Sequence, residues 1–271
     1  MIKIFARLSG LLVLLCGPIC LPLVPRLLHV SLGFYLERYL AFLLVGASWS
    51  ILRQLFMVVM RRHQHSRRRL LRWLAALAFV TLTVIFFLSL QSFRIKFEDY
   101  IFYTLLALLC LDALAESLRQ RQHLVAALLL GLGAHAGLGY LSVLVISNVW
   151  WWPPLLVAIG VACVAISMPV AESIGADADQ EVRSSLSRTQ IQISRIYPLL
   201  ICLGAVLVSV PSAFKLAPSR FLLMLLIIPL STPVINHARL VGAGERAAGL
   251  LREATGICYL FMVMLLLLAI I

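Results

Sequence analysis

Apolar residues run along this chain in long blocks separated by short basic stretches, and within the blocks apolar and polar positions do not alternate. Most blocks extend over roughly 17 to 25 residues, the length a helix needs to cross about 30 Å of hydrocarbon. The missing period of two excludes a porin-like barrel. Hydrocarbon offers no water to backbone N–H and C=O groups, so such runs fold as helices. The pattern predicts spans near Leu8 to Val24, Leu40 to Met60, Leu70 to Leu90, Tyr100 to Leu114, Leu124 to Ile146 and Pro154 to Val170. Three more follow near Tyr197 to Phe214, Phe221 to Ile235 and Ile257 to Ile271. The expected fold class is therefore an all-α membrane protein, a bundle of about nine transmembrane helices forming one polytopic domain over residues 1–271. An odd number of spans puts the termini on opposite sides.

Composition strengthens this reading. With 62% hydrophobic and 13% charged residues and a mean hydropathy of +1.03, the apolar surface is too large for one water-soluble core. The 23 Lys and Arg residues then set the orientation. With a cytoplasmic N-terminus, the outer side keeps Arg26, Arg38, Arg94, Lys96, Lys215 and Arg220, Arg53 lies inside a span, and all the others fall on the cytoplasmic side. This is the positive-inside bias, and it predicts N-in and C-out insertion in a bacterial-type inner membrane. The net charge of +12 is thus mainly topological, with attraction to anionic headgroups added. Nucleic-acid binding is not expected, because the arginines from Arg61 to Arg72 have no folded basic domain around them.

Lys3 and Arg7 precede an apolar run, as in a signal peptide, but no clean small-x-small cleavage site follows. The segment reads as an uncleaved first helix. Cys16, Cys20, Cys110, Cys163, Cys202 and Cys258 all lie in apolar runs without a CxxC or Cys/His cluster, so they read as small hydrophobes.

The polar residues carry the candidate chemistry. After the sixth span the chain reads Glu172-Ser-Ile-Gly-Ala-Asp177-Ala-Asp179-Gln-Glu181-Val-Arg183, running on to Arg188-Thr189, and holds four of the eleven acids. If the sixth helix continues that far, Asp177 and Glu181 share one face at its C-terminal end. Like charges repel and a helix C-terminus disfavours anions, so a positive partner is required. One solution is Mg²⁺ held by the two carboxylates and a substrate phosphate. Another is Arg183 and Arg188, pairing the acids or binding a phosphate. The bland reading, an interfacial loop whose acids pair with its arginines, stays open beside these.

Arg53 lies inside the second span, where it either faces a cavity or partner, or snorkels towards the interface near Met60 and Arg61. His135, within Gly131-Leu-Gly-Ala-His-Ala-Gly137-Leu-Gly139, reads as an interhelical hydrogen-bonding residue in a stretch of small residues that permits close helix approach. Trp150, Trp151 and Trp152 before Pro153 and Pro154 fit an interfacial belt on the outer face.

In order and spacing these features resemble the UbiA superfamily of intramembrane prenyltransferases. The resemblance covers the chain from about Leu114 onwards. It rests on Arg119-Gln-Arg121-Gln-His123 before a Gly-rich helix, on Asp177-x-x-x-Glu181-Val-Arg183 with Arg188-Thr189, and on Ala238-Arg239-Leu-Val-Gly-Ala-Gly-Glu245-Arg246 before the last apolar helix. It implies nine helices, a cytoplasmic N-terminus, and transfer of an isoprenoid chain from a prenyl diphosphate to an aromatic or other polar acceptor. It also implies that Asp177 and Glu181 are catalytic and hold Mg²⁺, with Arg53, Arg119, Arg121, Arg183 and Arg188 binding the diphosphate. The membrane lipid, the prenyl diphosphate and the acceptor are then the partners.

The chain departs from the family at its first acidic motif, which ends the second helix: from Ser48 to His65 there is not one acid. Ser replaces the usual Gly after the second motif, and Glu181 its last Asp. Two expectations follow, a divergent transferase working from the second motif, or a non-catalytic relative serving as a binding or assembly subunit in a lipid pathway. A small transporter would require a broken-helix repeat in both halves, and none is visible.

Overall fold

A computed structural model of the chain describes residues 13–20, 32–62, 69–120, 123–147, 150–178, 188–242 and 250–270. Every element among them is helical. A turn over residues 13–15 leads into α1 (Cys16–Cys20), followed by α2 (Leu32–Arg62), α3 (Arg69–Lys96), α4 (Asp99–Gln120), α5 (Leu124–Ser147), α6 (Trp152–Ala178) and α7 (Arg188–Ala213). A 3₁₀ segment (Ser219–Leu226) then feeds α8 (Ile227–Leu230), α9 (Thr232–Gly242) and finally α10 (Leu250–Ile270). Five stretches are long and apolar enough to cross a membrane: Leu77–Lys96, Asp99–Arg119, Val125–Ser147, Ser219–Arg239 and Glu253–Ile270. Trp152–Ser167 and Pro198–Ala213 are shorter apolar helices. The chain is a multi-pass α-helical membrane protein.

The helices run past the expected spans because a span is delimited by hydrocarbon, whereas a helix continues into the headgroup layer. Thus α2 begins at Leu32 rather than Leu40, α4 reaches Gln120 rather than Leu114, and α6 reaches Ala178 rather than Val170. The first expected span, Leu8 to Val24, is described only over residues 13–20. The eighth is no single α-helix. Pro229 has no N–H to continue the ladder, and the Ser231 hydroxyl turns back onto the Ile227 carbonyl at 2.7 Å where α8 gives way to α9.

Hydroxyls elsewhere are satisfied in the same local way, as lipid demands. Ser48 donates to Leu44 O at 2.6 Å, Ser142 to Gly139 O at 2.6 Å and Ser167 to Val164 O at 2.7 Å. The Cys258 thiol lies 3.4 Å from the Ser167 hydroxyl. All six cysteines are free; four are buried, Cys202 is half-buried and Cys110 is exposed.

The middle of the bundle is α5, 61% of whose apolar window is buried, against 11% for α3. It packs on α1, α2, α4 and α6. Its small residues serve this role: Gly139 meets Val13, Cys16 and Ala158, while Gly133 faces open space. At the edge, α3 leans on α2 through Trp49 against Phe86 (5.6 Å between centroids) and Phe42 against Phe93 (6.3 Å). Its outer face presents Leu77, Val80, Phe87 and Leu88, all more than half exposed, which is a lipid-facing surface.

Helices α6 and α7 approach backbone to backbone at Gly160 and Gly204. A Cβ on Gly204 would lie 2.6 Å from the Gly160 carbonyl oxygen, and one on Gly160 would lie 2.8 Å from that of Gly204. Backbone cannot swing aside as a side chain can, so Gly204→Val costs about 1–3 kcal/mol through overpacking. Thermal unfolding in detergent should show that loss for Gly204→Val and none for Gly133→Ala, which has nothing within 4 Å.

Candidate functional site

Short connections make neighbouring helices antiparallel, so one end of the bundle gathers the end of α2 at Arg62, the start of α3 at Arg69, the end of α4 and the start of α5. The ends of α6 and α9 and the starts of α7 and α10 join them there. On the surface of this end His237 Nδ1 lies 2.9 Å from Glu253 Oε2, joining α9 to α10.

Inside the bundle two opposite charges meet. Asp112 lies eight residues before the end of α4 and Arg53 nine before the end of α2, so both sit about 12–14 Å below this end at 1.5 Å per residue. Arg53 Nη1 donates to Asp112 Oδ1 at 2.6 Å, and the indole Nε1 of Trp49, one turn away on α2, donates to Asp112 Oδ2 at 2.9 Å. Both carboxylate oxygens are thereby engaged. The side chains are 16% and 6% exposed. At that depth an isolated charge is expensive in either helix, and the pair is what makes both tolerable.

The satisfaction is incomplete on one side. Arg53 Nε is buried and has no hydrogen-bond partner, a state that costs about 1–3 kcal/mol for a buried donor. One turn nearer the end of α4, Arg119 Nη2 donates to Glu116 Oε1 at 2.7 Å, with exposures of 27% and 13%. Asp112, Glu116 and Arg119 fall on one face of α4, at i, i+4 and i+7. They form a polar line from the end of the bundle down to Arg53.

His135 of α5 lies at the inner end of this line, close enough for the charges of Asp112 and Arg53 to act on it. Its Nδ1 is 2.8 Å from Gly131 O. A carbonyl only accepts, so Nδ1 carries the proton and Nε2 of the neutral ring is left as an acceptor. The bond made is thus within α5 rather than interhelical, because the i−4 carbonyl is in reach of the ring.

Of the residues singled out from the sequence, Arg53 and Arg119 are both engaged by acids of α4. They are not brought together on a common ligand position. Asp177 lies in the last turn of α6, so that helix does continue through it, and Arg188 opens α7. The side chains of Asp177 and Arg188, together with all of Arg121, Glu181 and Arg183, lie outside the described residues. Asp112, Trp49 and Glu116 are the additions. Asp112 was readable as an acid inside the expected fourth span, seven residues before Arg119, much as Arg53 stands eight before Arg61.

A divalent metal bridging α2 and α6 would need acids on both. Two carboxylates on α6 and its following loop suit Mg²⁺ by donor type, but α2 offers a guanidinium already bound to Asp112, which repels a cation. The residues present fit half of such a site. Among the described residues no group of three or more His, Cys, Asp or Glu side chains is placed to hold a metal.

In comparisons with family models, curated proteins and solved structures, nothing matches this chain.

Breaking the buried pair from one side leaves a charge in a low-dielectric site. Arg53→Ala alone should destabilise by about 3–5 kcal/mol, while Arg53→Met with Asp112→Leu recovers most of the loss. Equilibrium unfolding in mixed micelles checks this, and equal stability of single and double variants would show that the pair is exposed to water.

Proposed function

We propose that this protein is a membrane-embedded relative of the intramembrane prenyltransferases that binds an isoprenoid-type lipid without transferring it, serving as a binding or assembly subunit in a lipid pathway. One observation carries the reading. On the second helix, where the resemblance calls for metal-binding acids, Arg53 stands instead and is locked to Asp112, whose other oxygen is held by Trp49. A transfer reaction must neutralise the charge that develops on a leaving diphosphate. Here the two described arginines of the expected clamp, Arg53 and Arg119, are themselves neutralised by Asp112 and Glu116. The same proposal includes nine spans, N-in and C-out insertion in a bacterial-type inner membrane, and the arginine-rich end facing the cytoplasm, supported by the distribution of Lys and Arg.

The second reading is a transferase working from one acidic motif. It is favoured by the spacing of Asp177, Glu181, Arg183 and Arg188 and by the continuation of α6 through Asp177. In it Asp177 and Glu181 hold a Mg²⁺ that would supply charge neutralisation at a diphosphate. Arg121, Arg183 and Arg188 orient the diphosphate, and the acceptor is aromatic or otherwise polar.

Diphosphate release from a panel of allylic prenyl diphosphates, with Mg²⁺ present, separates the two. The binding-protein reading expects none from the folded protein. Release that Asp177→Asn and Glu181→Gln both abolish would establish the transferase.

A further inference from the structure

Helix α3 is the least enclosed of the five stretches able to cross a membrane, with 11% of its window buried. It packs on α2 and barely touches α4. Phe86 and Phe93 turn towards Trp49 and Phe42 of α2. Half a turn round the helix from them run Leu77, Thr81, Val84, Leu88, Gln91 and Ile95. Their steps alternate between four and three residues, the spacing of a heptad seam. All six are exposed, the aliphatic ones from 51% at Val84 to 80% at Ile95.

Hydrocarbon suits the aliphatic members of this row but not Gln91. Three hydroxyls of α3 are answered within the helix: Thr81 donates to Leu77 O at 2.9 Å, Thr83 to Phe79 O at 2.8 Å and Ser89 to Ile85 O at 2.8 Å. The Gln91 side-chain amide makes no hydrogen bond among the described residues. It stands inside the Leu77–Lys96 span, about 7–8 Å short of Lys96 at 1.5 Å per residue. An amide carries donors and an acceptor together, and in lipid an unanswered one favours association with another helix. Copies of one chain insert the same way round, so two α3 helices related by a two-fold axis along the membrane normal are parallel and bring equal residues to equal depth. Gln91 then meets Gln91, and each amide donates to the carbonyl of the other. Arg94 and Lys96 lie to either side of the row, engaged by the Phe102 ring and by Glu37, so the row itself brings no like charges together. Its six side chains offer on the order of 500 Å² per copy, and two copies together reach the ~1,000 Å² that a specific interface needs.

We propose that the outer face of α3 is an interface between two copies of this chain, formed by the row from Leu77 to Ile95 and fixed in register by paired Gln91 amides. The aliphatic side chains pack across the two-fold axis, and the amide pair holds the copies together because its alternative at that depth is hydrocarbon. The partner lies on the side of α3 away from α2, so the Arg53–Asp112 pair takes no part in the contact. The dimer does not rest on the isoprenoid reading above.

Sedimentation equilibrium of the full-length protein in density-matched detergent micelles, over a range of protein-to-detergent ratios, tests it with wild type, Gln91→Leu, Val84→Trp and Val263→Trp. Val263 of α10 is 50% exposed, close to Val84, so Val263→Trp reports what a lipid-facing Trp does away from the row. Wild type should be a reversible dimer. Gln91→Leu, which keeps a side chain of similar size, should weaken the dimer about tenfold through the loss of two interhelical hydrogen bonds. Val84→Trp should leave monomers by holding the backbones apart, and Val263→Trp should match wild type. Thermal unfolding checks the fold of each variant, and Gln91→Leu decides alone if Val84→Trp does not fold. A wild type that is monomeric at every ratio overturns the proposal, as does a dimer indifferent to Val84→Trp, which uses another face. A dimer that Gln91→Leu leaves intact overturns it too, since the amide is then answered by headgroups and not by its copy.

Discussion

Two charges about 12–14 Å inside a helical bundle must meet or be expelled, and the meeting of Arg53 with Asp112 organises the polar interior of this protein. A helix in hydrocarbon satisfies its own backbone, and its Ser and Thr hydroxyls fold onto carbonyls of the preceding turn. Charged groups have no such local remedy. For Arg53 the partner comes from another helix at the same depth, so the pair ties the register of α2 to that of α4 even though the two backbones remain apart. Trp49 completes the arrangement by occupying the second carboxylate oxygen.

The same pair governs what this end of the bundle can bind. A cation approaching α2 meets a guanidinium, and an anion approaching α4 meets Asp112 and Glu116. Neither charge is free, so a ligand of either sign gains access only by competing with the partner that already holds it. This is a different electrostatic arrangement from paired acidic motifs bridged by metal, where anions are recruited through the ion they share. A helical bundle does not by itself carry a chemistry; the charges inside it decide that.

The fold class was legible because lipid imposes a long, unbroken apolar signal, and seven of the expected spans coincide with a described α-helix over most of their length. Two features were hidden, each for a physical reason. The departure from a single α-helix between Ser219 and Gly242 leaves hydropathy unchanged, since a 3₁₀ turn and the missing N–H of Pro229 alter the hydrogen-bond ladder and not the apolar run. Asp112 was hidden because a single acid in an apolar block carries no period and no motif; its meaning appears only when Arg53 is set beside it. Counting residues from the basic ends of α2 and α4 would have matched the two depths. The loop after α6, where the sequence pattern was richest, is the part whose side-chain geometry lies outside the described residues.

That contrast reflects how strongly the membrane constrains each kind of charged residue. Loop acids and arginines are abundant near the basic interface and pair readily in water, so their spacing discriminates weakly. A charge within a span is costly and must be compensated, so each one constrains a partner, a depth and a face. Arg53 and Asp112 each lie within an expected span, and they meet. Along α4, the same face continues through Glu116 to Arg119, each charge answered by the next. A polar line of this kind runs from the basic end of the bundle down to Arg53, and it persists at that depth because Asp112 on α4 meets the charge that α2 brings in.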